Sequence, residues 1–221
     1  MSKIAVILAG CGHADGSEIQ EAILTLLALS KRDIDVEVFA PNIEQMHVIN
    51  HLTGKTTSEN RNVLVEAARI ARGDIQDINK ANINEFDAVV LPGGFGAAKN
   101  LCNYATEGLD CKFNPVVEDF LIAGMKNNKV MGFICIAPVL GAFIANKLNI
   151  KAKLTIGNDK TTAGHIEQLG NKHIECKASD CVVDKKNNIV STPAYMVGRS
   201  ISEVSEGIDK LVGKVVKMVK S

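Results

Sequence analysis

Residues 129–146 read KVMGFICIAPVLGAFIAN, and this stretch decides the fold. The run from Val130 to Asn146 carries no formal charge, but glycine and proline interrupt it and it is shorter than a bilayer span. The pattern therefore predicts a buried strand over residues 129–134, a sharp turn at Cys135 and a helix over residues 137–145.

The rest of the chain alternates predicted strands with predicted helices. A nearly uninterrupted apolar run predicts a strand over residues 3–9, and further strands are predicted over residues 35–40 and 86–91. Apolar residues at helical spacing predict helices after Ser17, over residues 58–71 and 116–125, and in the stretch that carries Ile208, Leu211, Val212, Val215, Val216 and Val219. Ser17 is expected to cap the first helix, with Gln20 as its reciprocal partner and an apolar stripe of Ile19, Ala22, Ile23, Leu26 and Leu27. Residues 181–184 and 188–192 predict a hairpin.

This alternation predicts the fold class. Strands and helices in turn, joined by short connections, form an α/β, doubly wound, mainly parallel sheet with helices on both faces. No repeat, low-complexity tract or linker divides the sequence, so residues 1–221 are predicted to form one domain. Ligands bind such sheets beyond the carboxyl ends of the strands. That edge is expected to collect residues 10–18, Pro92–Gly96, the Cys135 turn and Thr155–Asp159.

The composition excludes several classes of partner. The 25 Lys and Arg residues balance 25 Asp and Glu residues, so there is no excess positive charge for nucleic acid or an anionic membrane. Trp is absent and aromatic residues make up 4% of the chain, which argues against base stacking. The loop from Gly10 to Gly16 has the wrong glycine spacing for a dinucleotide, and no Gly-Lys-Ser/Thr phosphate loop is present. We therefore expect no nucleic acid, membrane or nucleotide partner.

The cysteines and histidines point to an intracellular protein without a metal. The six cysteines, at positions 11, 102, 111, 135, 176 and 181, contain no Cys-x-x-Cys pair, and the first residues lack the pattern of a signal peptide. A reducing compartment, the cytoplasm, is expected. His47 and His51 are four residues apart but have no acidic residue between them, so no zinc site is predicted.

Cys135 is the first candidate for chemistry. A side chain at a tight strand-to-helix turn occupies the position of a nucleophile elbow. The N-terminus of the following helix is expected to lower the pKa of this thiol and favour the thiolate. The alternative is a buried cysteine that acts as a small apolar residue.

Two glycine-rich loops could complete a site around this thiol. Glu18 is predicted to face Cys135 and to exchange a proton with the substrate, although acidic residues also favour first helical turns on electrostatic grounds alone. The backbone amides of Gly93, Gly94 and Ile136 could form an oxyanion hole that binds substrate. An ordinary tight turn is the alternative for the glycine loop.

Six segments together carry a family resemblance: Gly10–Glu18, Val48–Gly54, Arg61–Ile70, Pro92–Asn100, Cys135–Pro138 and Thr192–Met196. They resemble the enhancing lycopene biosynthesis proteins, also called isoprenoid-biosynthesis-associated glyoxalases or sigma cross-reacting proteins. The resemblance runs from residue 4 to about residue 216. That family is similar to the wider ThiJ/PfpI group, which has a flavodoxin-like fold related to class I glutamine amidotransferase domains.

The resemblance implies a function and a set of site residues. It implies a Cys135 nucleophile with Glu18 as its proton partner, in a glyoxalase that needs neither glutathione nor a cofactor. The implied substrates are small dicarbonyls, with glyoxal converted to glycolate, and the implied protein is a cytoplasmic homodimer linked to isoprenoid biosynthesis. Relatives often carry a histidine on the strand after the elbow helix, where this chain offers Asp159 as a stand-in.

The motifs also depart from those of an amidotransferase. Cys135 is followed by Ile-Ala-Pro, and the C-terminal third carries Thr192-Pro-Ala-Tyr-Met in place of a His-x-Glu pair. Glutamine hydrolysis is therefore not expected. A second function is compatible with the same residues, namely a redox-sensing or regulatory binding protein in which Cys135 is reactive and turnover is incidental.

Overall fold

A computed structural model describes residues 2–220 of the chain. Within these residues the main sheet has seven strands: β1 Lys3–Ile7, β2 Asp35–Ala40, β3 Gln76–Asp77, β4 Ala88–Leu91, β5 Val130–Ile134, β6 Val182–Asp184 and β7 Ile189–Thr192. The strands lie in the order β6-β7-β5-β4-β1-β2-β3, and the pairs are parallel except for the β6–β7 hairpin. The mainly parallel sheet and the hairpin predicted from the sequence are confirmed.

The helices connect these strands on both faces of the sheet. They are α1 Ile19–Ser30, α2 Val63–Ile70, α3 Phe95–Lys99, α4 Tyr104–Glu107, α5 Pro115–Lys126, α6 Pro138–Lys147, α7 Lys160–Gln168 and α8 Ile201–Val219. Short 3-10 turns lie at Ile78–Lys80, Ile83–Glu85, Gly108–Asp110 and Ala194–Met196. Two small ribbons pair Ile49–Asn50 with Lys55–Thr56 and Lys153–Leu154 with Lys172–His173.

The core forms one layer on each face of the sheet. Side chains of β1 alternate, with Ile4 and Val6 in one layer and Ala5 and Ile7 in the other. Helices α1, α2 and α8 cover the first face, and α3, α5 and α6 cover the second. The apolar side of α8 is buried, as its spacing predicts.

The start of α1 differs from the prediction. Ser17 lies before the helix, fully buried, and its hydroxyl accepts a hydrogen bond from the Ala9 amide at 2.8 Å. Glu18 is the capping residue, because its carboxylate accepts the Glu21 amide at 2.6 Å. Gln20, expected as a reciprocal cap, accepts a hydrogen bond from the Tyr195 hydroxyl instead.

The apolar stripe predicted for α1 is only partly buried. Three of its members are almost half exposed: Ile19, Ile23 and Leu27. The buried face of α1 is rotated relative to this predicted stripe. Its buried residues are Glu21, Ala22, Thr25, Ala28 and Leu29. An acidic residue therefore occupies a buried position on this face.

Helix α2 begins later than the sequence predicts. The predicted helix starts at residue 58, whereas Asn62 caps the observed helix by accepting the Val65 amide at 3.1 Å. The residue before this cap belongs to an extended pairing, in which the Arg61 carbonyl accepts the Gln45 amide at 2.8 Å. This pairing holds the chain outside the helix until Asn62.

Candidate active site

Cys135 lies at the elbow between β5 and α6. Its φ of +63° is in the left-handed region, which is strained for a residue with a side chain. The neighbouring strand holds the turn, because the Cys135 amide donates to the Thr192 carbonyl at 2.9 Å. The side chain is 7% exposed and lines a pocket. The sharp turn predicted at this position is confirmed.

The carboxyl group in contact with this thiol belongs to Glu21. Its side chain is fully buried and is hydrogen-bonded to the Cys135 thiol. The Gly93 amide donates to Oε2 at 2.9 Å and the Tyr195 amide donates to Oε1 at 3.2 Å. Backbone from two distant parts of the chain therefore fixes the carboxyl group against the sulfur.

Glu18, the residue predicted to face the thiol, lies one helical turn earlier. It lines the pocket, but its carboxylate is occupied in capping α1 through the Glu21 amide. The carboxyl group that the structure places against the sulfur is that of Glu21, which was not among the residues predicted from the sequence, and the role of Glu18 as a proton partner stays a prediction. Residues three positions apart lie on one side of a helix. The sequence therefore indicated that either acidic residue, Glu18 or Glu21, could face the thiol.

The environment of Glu21 favours its protonated form. Burial, and secondly the neighbouring Glu18 carboxylate, raises the pKa of Glu21 to about 8, although its hydrogen bonds to the Tyr195 amide, the Cys135 thiol and the Gly93 amide act in the opposite direction. A carboxyl group with this pKa can take up and release a proton near neutral pH.

The amides predicted for the oxyanion hole divide into two groups. Those of Gly94 and Ile136 face the Cys135 sulfur and act to lower the pKa of its thiol. The Gly93 amide is directed to Glu21, so a predicted role in binding substrate oxygen does not fit its geometry. Gly94 has a φ of +94°, and a Cβ there would lie 2.3 Å from the Glu18 nitrogen, which explains the need for glycine.

Burial changes the expected protonation state of Cys135. Desolvation, followed by the nearby Glu21 carboxylate, raises the pKa of the thiol well above its ordinary value and outweighs the two amides. These surroundings favour a protonated thiol that is hydrogen-bonded to Glu21, whereas the helix N-terminus alone predicts a thiolate.

The pocket above the thiol has a volume of about 540 Å³. Its walls are mainly apolar, and its polar side chains are His13, Glu18, Tyr104, Asp159, Thr162, His165 and Tyr195. The four segments expected at the carboxyl edge all contribute residues. The volume suits a small organic molecule.

Asp159 and His165 lie on the wall formed by α7. Asp159 is exposed and caps α7 by accepting the Thr162 amide at 2.8 Å, and this hydrogen bond lowers its pKa. His165 lies within α7, and its Nδ1 is 2.8 Å from the Tyr104 hydroxyl. Asp159 therefore borders the pocket with a carboxylate already engaged in a helix cap.

Among residues 2–220, no group of three or more His, Cys, Asp and Glu side chains is arranged to hold a metal ion. In the same part of the chain, no helix is long and apolar enough to cross a membrane.

The chain is similar to two curated mammalian proteins over nearly its full length. It is 40% identical over 227 residues to the glutamine amidotransferase-like class 1 domain-containing protein 3, mitochondrial, of Homo sapiens, covering 98% of this chain and 83% of that protein. It is 40% identical over 227 residues to the ES1 protein homolog, mitochondrial, of Rattus norvegicus, covering 98% and 84%. No protein-family model matches.

Solved structures support the fold described above. An isoprenoid biosynthesis protein with an amidotransferase-like domain from Ehrlichia chaffeensis superposes with a TM-score of 0.91 and 38% identity, over 97% of this chain and 99% of that one. The DJ-1beta protein of Drosophila melanogaster has a TM-score of 0.54 at 20% identity, over 100% and 95% of the two chains, and shares the fold alone. The predicted flavodoxin-like fold is confirmed.

Proposed function

Because the chain belongs to the family of the ES1 proteins and glutamine amidotransferase-like class 1 domain-containing proteins, we propose that it is a cysteine-dependent, cofactor-independent glyoxalase. The proposed reaction converts small dicarbonyls to 2-hydroxy acids, with glyoxal giving glycolate. One observation carries the proposal: the Cys135 thiol lines a pocket of about 540 Å³, and a fully buried carboxyl group with a pKa of about 8, that of Glu21, contacts this thiol.

The first step forms a carbon–sulfur bond. The Glu21 carboxylate takes the proton of the Cys135 thiol as the sulfur adds to one aldehyde carbon, and the carbonyl electron pair moves to oxygen. The amides of Gly94 and Ile136, which face the sulfur, stabilise that oxyanion. Glu21 then returns the proton to the oxygen, which gives a hemithioacetal.

The second step moves a proton between the two substrate carbons. Glu21 removes the proton from the carbon bonded to sulfur, and an enediol forms as the neighbouring carbonyl oxygen gains a proton. Return of a proton to the neighbouring carbon and loss of one from the hydroxyl group give a thioester. Water then adds to the thioester, releasing glycolate and the Cys135 thiol, so the protein ends unchanged.

The proposal predicts that turnover rises with pH. Glu21 must be ionised to accept a proton, and a group of pKa about 8 is only about 10% ionised at pH 7. We expect kcat/KM for glyoxal to rise about tenfold per pH unit below pH 8 and then to level off, since this parameter follows the ionisation of the free enzyme. Initial rates, corrected for the buffer reaction, measure the profile. A flat profile between pH 6 and pH 8 would contradict the role of Glu21.

The central test is glycolate formation in D₂O by purified protein, with a chelator present and no added thiol. Proton transfer through Glu21 exchanges with solvent, so we expect glycolate that carries deuterium on carbon, which NMR detects. A hydride shift between the carbons, as in the base-catalysed background reaction, would leave both carbon-bound hydrogens as protium. Unlabelled product contradicts the mechanism, and no glycolate above buffer contradicts the function.

The alternative, redox sensing by Cys135, has less support from the site. A peroxide sensor needs an accessible thiolate, whereas this thiol is 7% exposed and burial raises its pKa. Rapid oxidation of Cys135 by dilute peroxide, together with negligible turnover of glyoxal, would reverse this preference.

Other parts of the proposal rest on the family rather than on the pocket. The Ehrlichia chaffeensis protein is described as an isoprenoid biosynthesis protein, and we extend that link to this chain. The homodimer stays a prediction, and the exposed side chains Ile19, Ile23 and Leu27 offer an apolar surface for it. The cytoplasmic location also stays a prediction; the two mammalian relatives are described as mitochondrial.

A further inference from the structure

Two thiols lie together outside the Cys135 site. Cys102 follows α3, and Cys111 lies nine residues further along the chain. An antiparallel bridge between Cys102 and Phe113 brings the two ends of the intervening segment side by side, and the Asn103 amide donates to the Lys112 carbonyl at 3.0 Å. The two thiols are hydrogen-bonded to each other.

The two thiols have different environments. Cys102 is 3% exposed, and its Sγ lies 3.5 Å from the Ala97 carbonyl oxygen. Cys111 is only partly buried. The hydrogen bond between the thiols lowers the pKa of Cys111 and, together with burial, raises the pKa of Cys102. The accessible sulfur is therefore the more nucleophilic one, and the buried sulfur lies next to it.

We propose that Cys102 and Cys111 are a redox-active pair that forms a reversible disulfide on reaction with a hydroperoxide. The Cys111 thiolate attacks the peroxide, the O–O bond breaks and Cys111 becomes a sulfenic acid while an alcohol or water leaves. The Cys102 sulfur then attacks the Cys111 sulfur and expels hydroxide, which takes the Cys102 proton and leaves as water. Each thiol is oxidised by one electron and the peroxide is reduced by two.

This disulfide would close a covalent ring around one wall of the pocket. Three residues between the cysteines line the pocket: Tyr104, Ala105 and Gly108. The Tyr104 hydroxyl also lies 2.8 Å from Nδ1 of His165, another residue that lines the pocket. Oxidation brings the two sulfurs from hydrogen-bonding contact to about 2 Å and restricts the motion of this wall.

The sequence makes the disulfide simple to detect. Trypsin cuts after Lys99 and Lys112, and the peptide of residues 100–112 contains both cysteines and no other lysine or arginine. After the full-length protein is treated with one equivalent of hydrogen peroxide and its remaining thiols are alkylated, we expect this peptide to be unalkylated and lighter by two hydrogens. Treatment with dithiothreitol before alkylation should restore two labelled cysteines.

Two single variants test the order of events. In Cys102→Ser, Cys111 is expected to proceed to sulfinic acid, because the second thiol is missing. In Cys111→Ser, which changes a partly exposed residue, Cys102 is expected to stay reduced and to be alkylated only after unfolding. Two alkylated thiols in the oxidised wild-type peptide, or cross-links from it to other peptides, would overturn the proposal. Neither measurement depends on glyoxal turnover.

Hydrogen exchange tests the effect on the pocket wall. Amides of residues 103–110 are expected to exchange more slowly in the oxidised protein than in the reduced protein, because the ring restricts local opening. The Cys111→Ser variant, treated with peroxide in the same way, is the matched control and should show no change. Equal exchange in oxidised and reduced wild-type protein would overturn the proposed effect on the wall.

Discussion

Replacing Cys135 with alanine is expected to lower kcat/KM for glyoxal by about a thousandfold or more, because among residues 2–220 Cys135 is the one pocket-lining residue with a thiol to form the hemithioacetal. We expect Glu21→Gln to lose nearly as much, since an amide cannot remove a proton from the thiol or from carbon. Residues that act as one unit give losses that do not add, so the double variant should resemble Cys135→Ala alone. The rate of glycolate formation is the quantity to measure for all three variants.

The matched comparison for Glu21→Gln is Glu18→Gln. Both residues lie at the start of α1, but the Glu21 carboxyl group is hydrogen-bonded to the sulfur and the Glu18 carboxylate caps the helix. We expect Glu18→Gln to keep turnover within about tenfold of wild type and to lose up to about 1 kcal/mol of stability from the weaker helix cap. Thermal melting of each variant separates loss of folding from loss of chemistry. A large loss in Glu18→Gln with near-normal turnover in Glu21→Gln would restore Glu18 as the proton carrier.

The second large effect is expected for Gly93→Ala. A Cβ at this position would lie 2.3 Å from the Cys135 Cβ and 2.7 Å from the Glu21 Oε2 atom. Neither atom can move away freely, because one belongs to the elbow and the other is held by backbone amides. We expect a loss of about 3 kcal/mol or more in the free energy of unfolding, together with loss of turnover, because the thiol and the carboxyl group are pushed apart.

Gly164→Ala is the matched control for this substitution. Gly164 lies within α7, and a Cβ there would have no neighbour within 4 Å. Alanine is favoured over glycine in a helix, so we expect unchanged turnover and a gain of up to about 1 kcal/mol. Urea unfolding and glycolate assays measure both variants. If Gly93→Ala were as stable as wild type, the elbow would have room for a Cβ, which would contradict the short contact distances.

The sequence predicts the fold and the thiol, because both depend on local patterns. Apolar runs mark the central strands, and Cys135 is identified by its place between a strand and a helix. The carboxyl partner depends on information from distant residues. Glu21 is the partner because amides of Gly93 and Tyr195 converge on it, and no local pattern shows which of two acidic residues in one helical turn receives such contacts.

The buried face of α1 was predicted incorrectly for a related reason. The side chains Ile19, Ile23 and Leu27 have the spacing of a buried face, yet they are almost half exposed. The buried face of α1 instead carries Glu21, whose carboxyl group accepts the amides of Gly93 and Tyr195. A hydrophobic pattern predicts the face of a helix that is apolar, and tertiary contacts decide which face is buried.

The buried carboxyl group of Glu21 also links folding to the uptake of a proton. In the unfolded chain this group has its ordinary pKa of 4.5, whereas in the folded protein its pKa is about 8. Between these two values the folded state holds a proton that the unfolded state has released, so this group makes the folded protein less stable as pH rises from 4.5 to 8. The same rise ionises the proton acceptor proposed for catalysis. A more alkaline solution therefore gives a more reactive but more easily unfolded protein, and the pH of its surroundings selects the balance between the two.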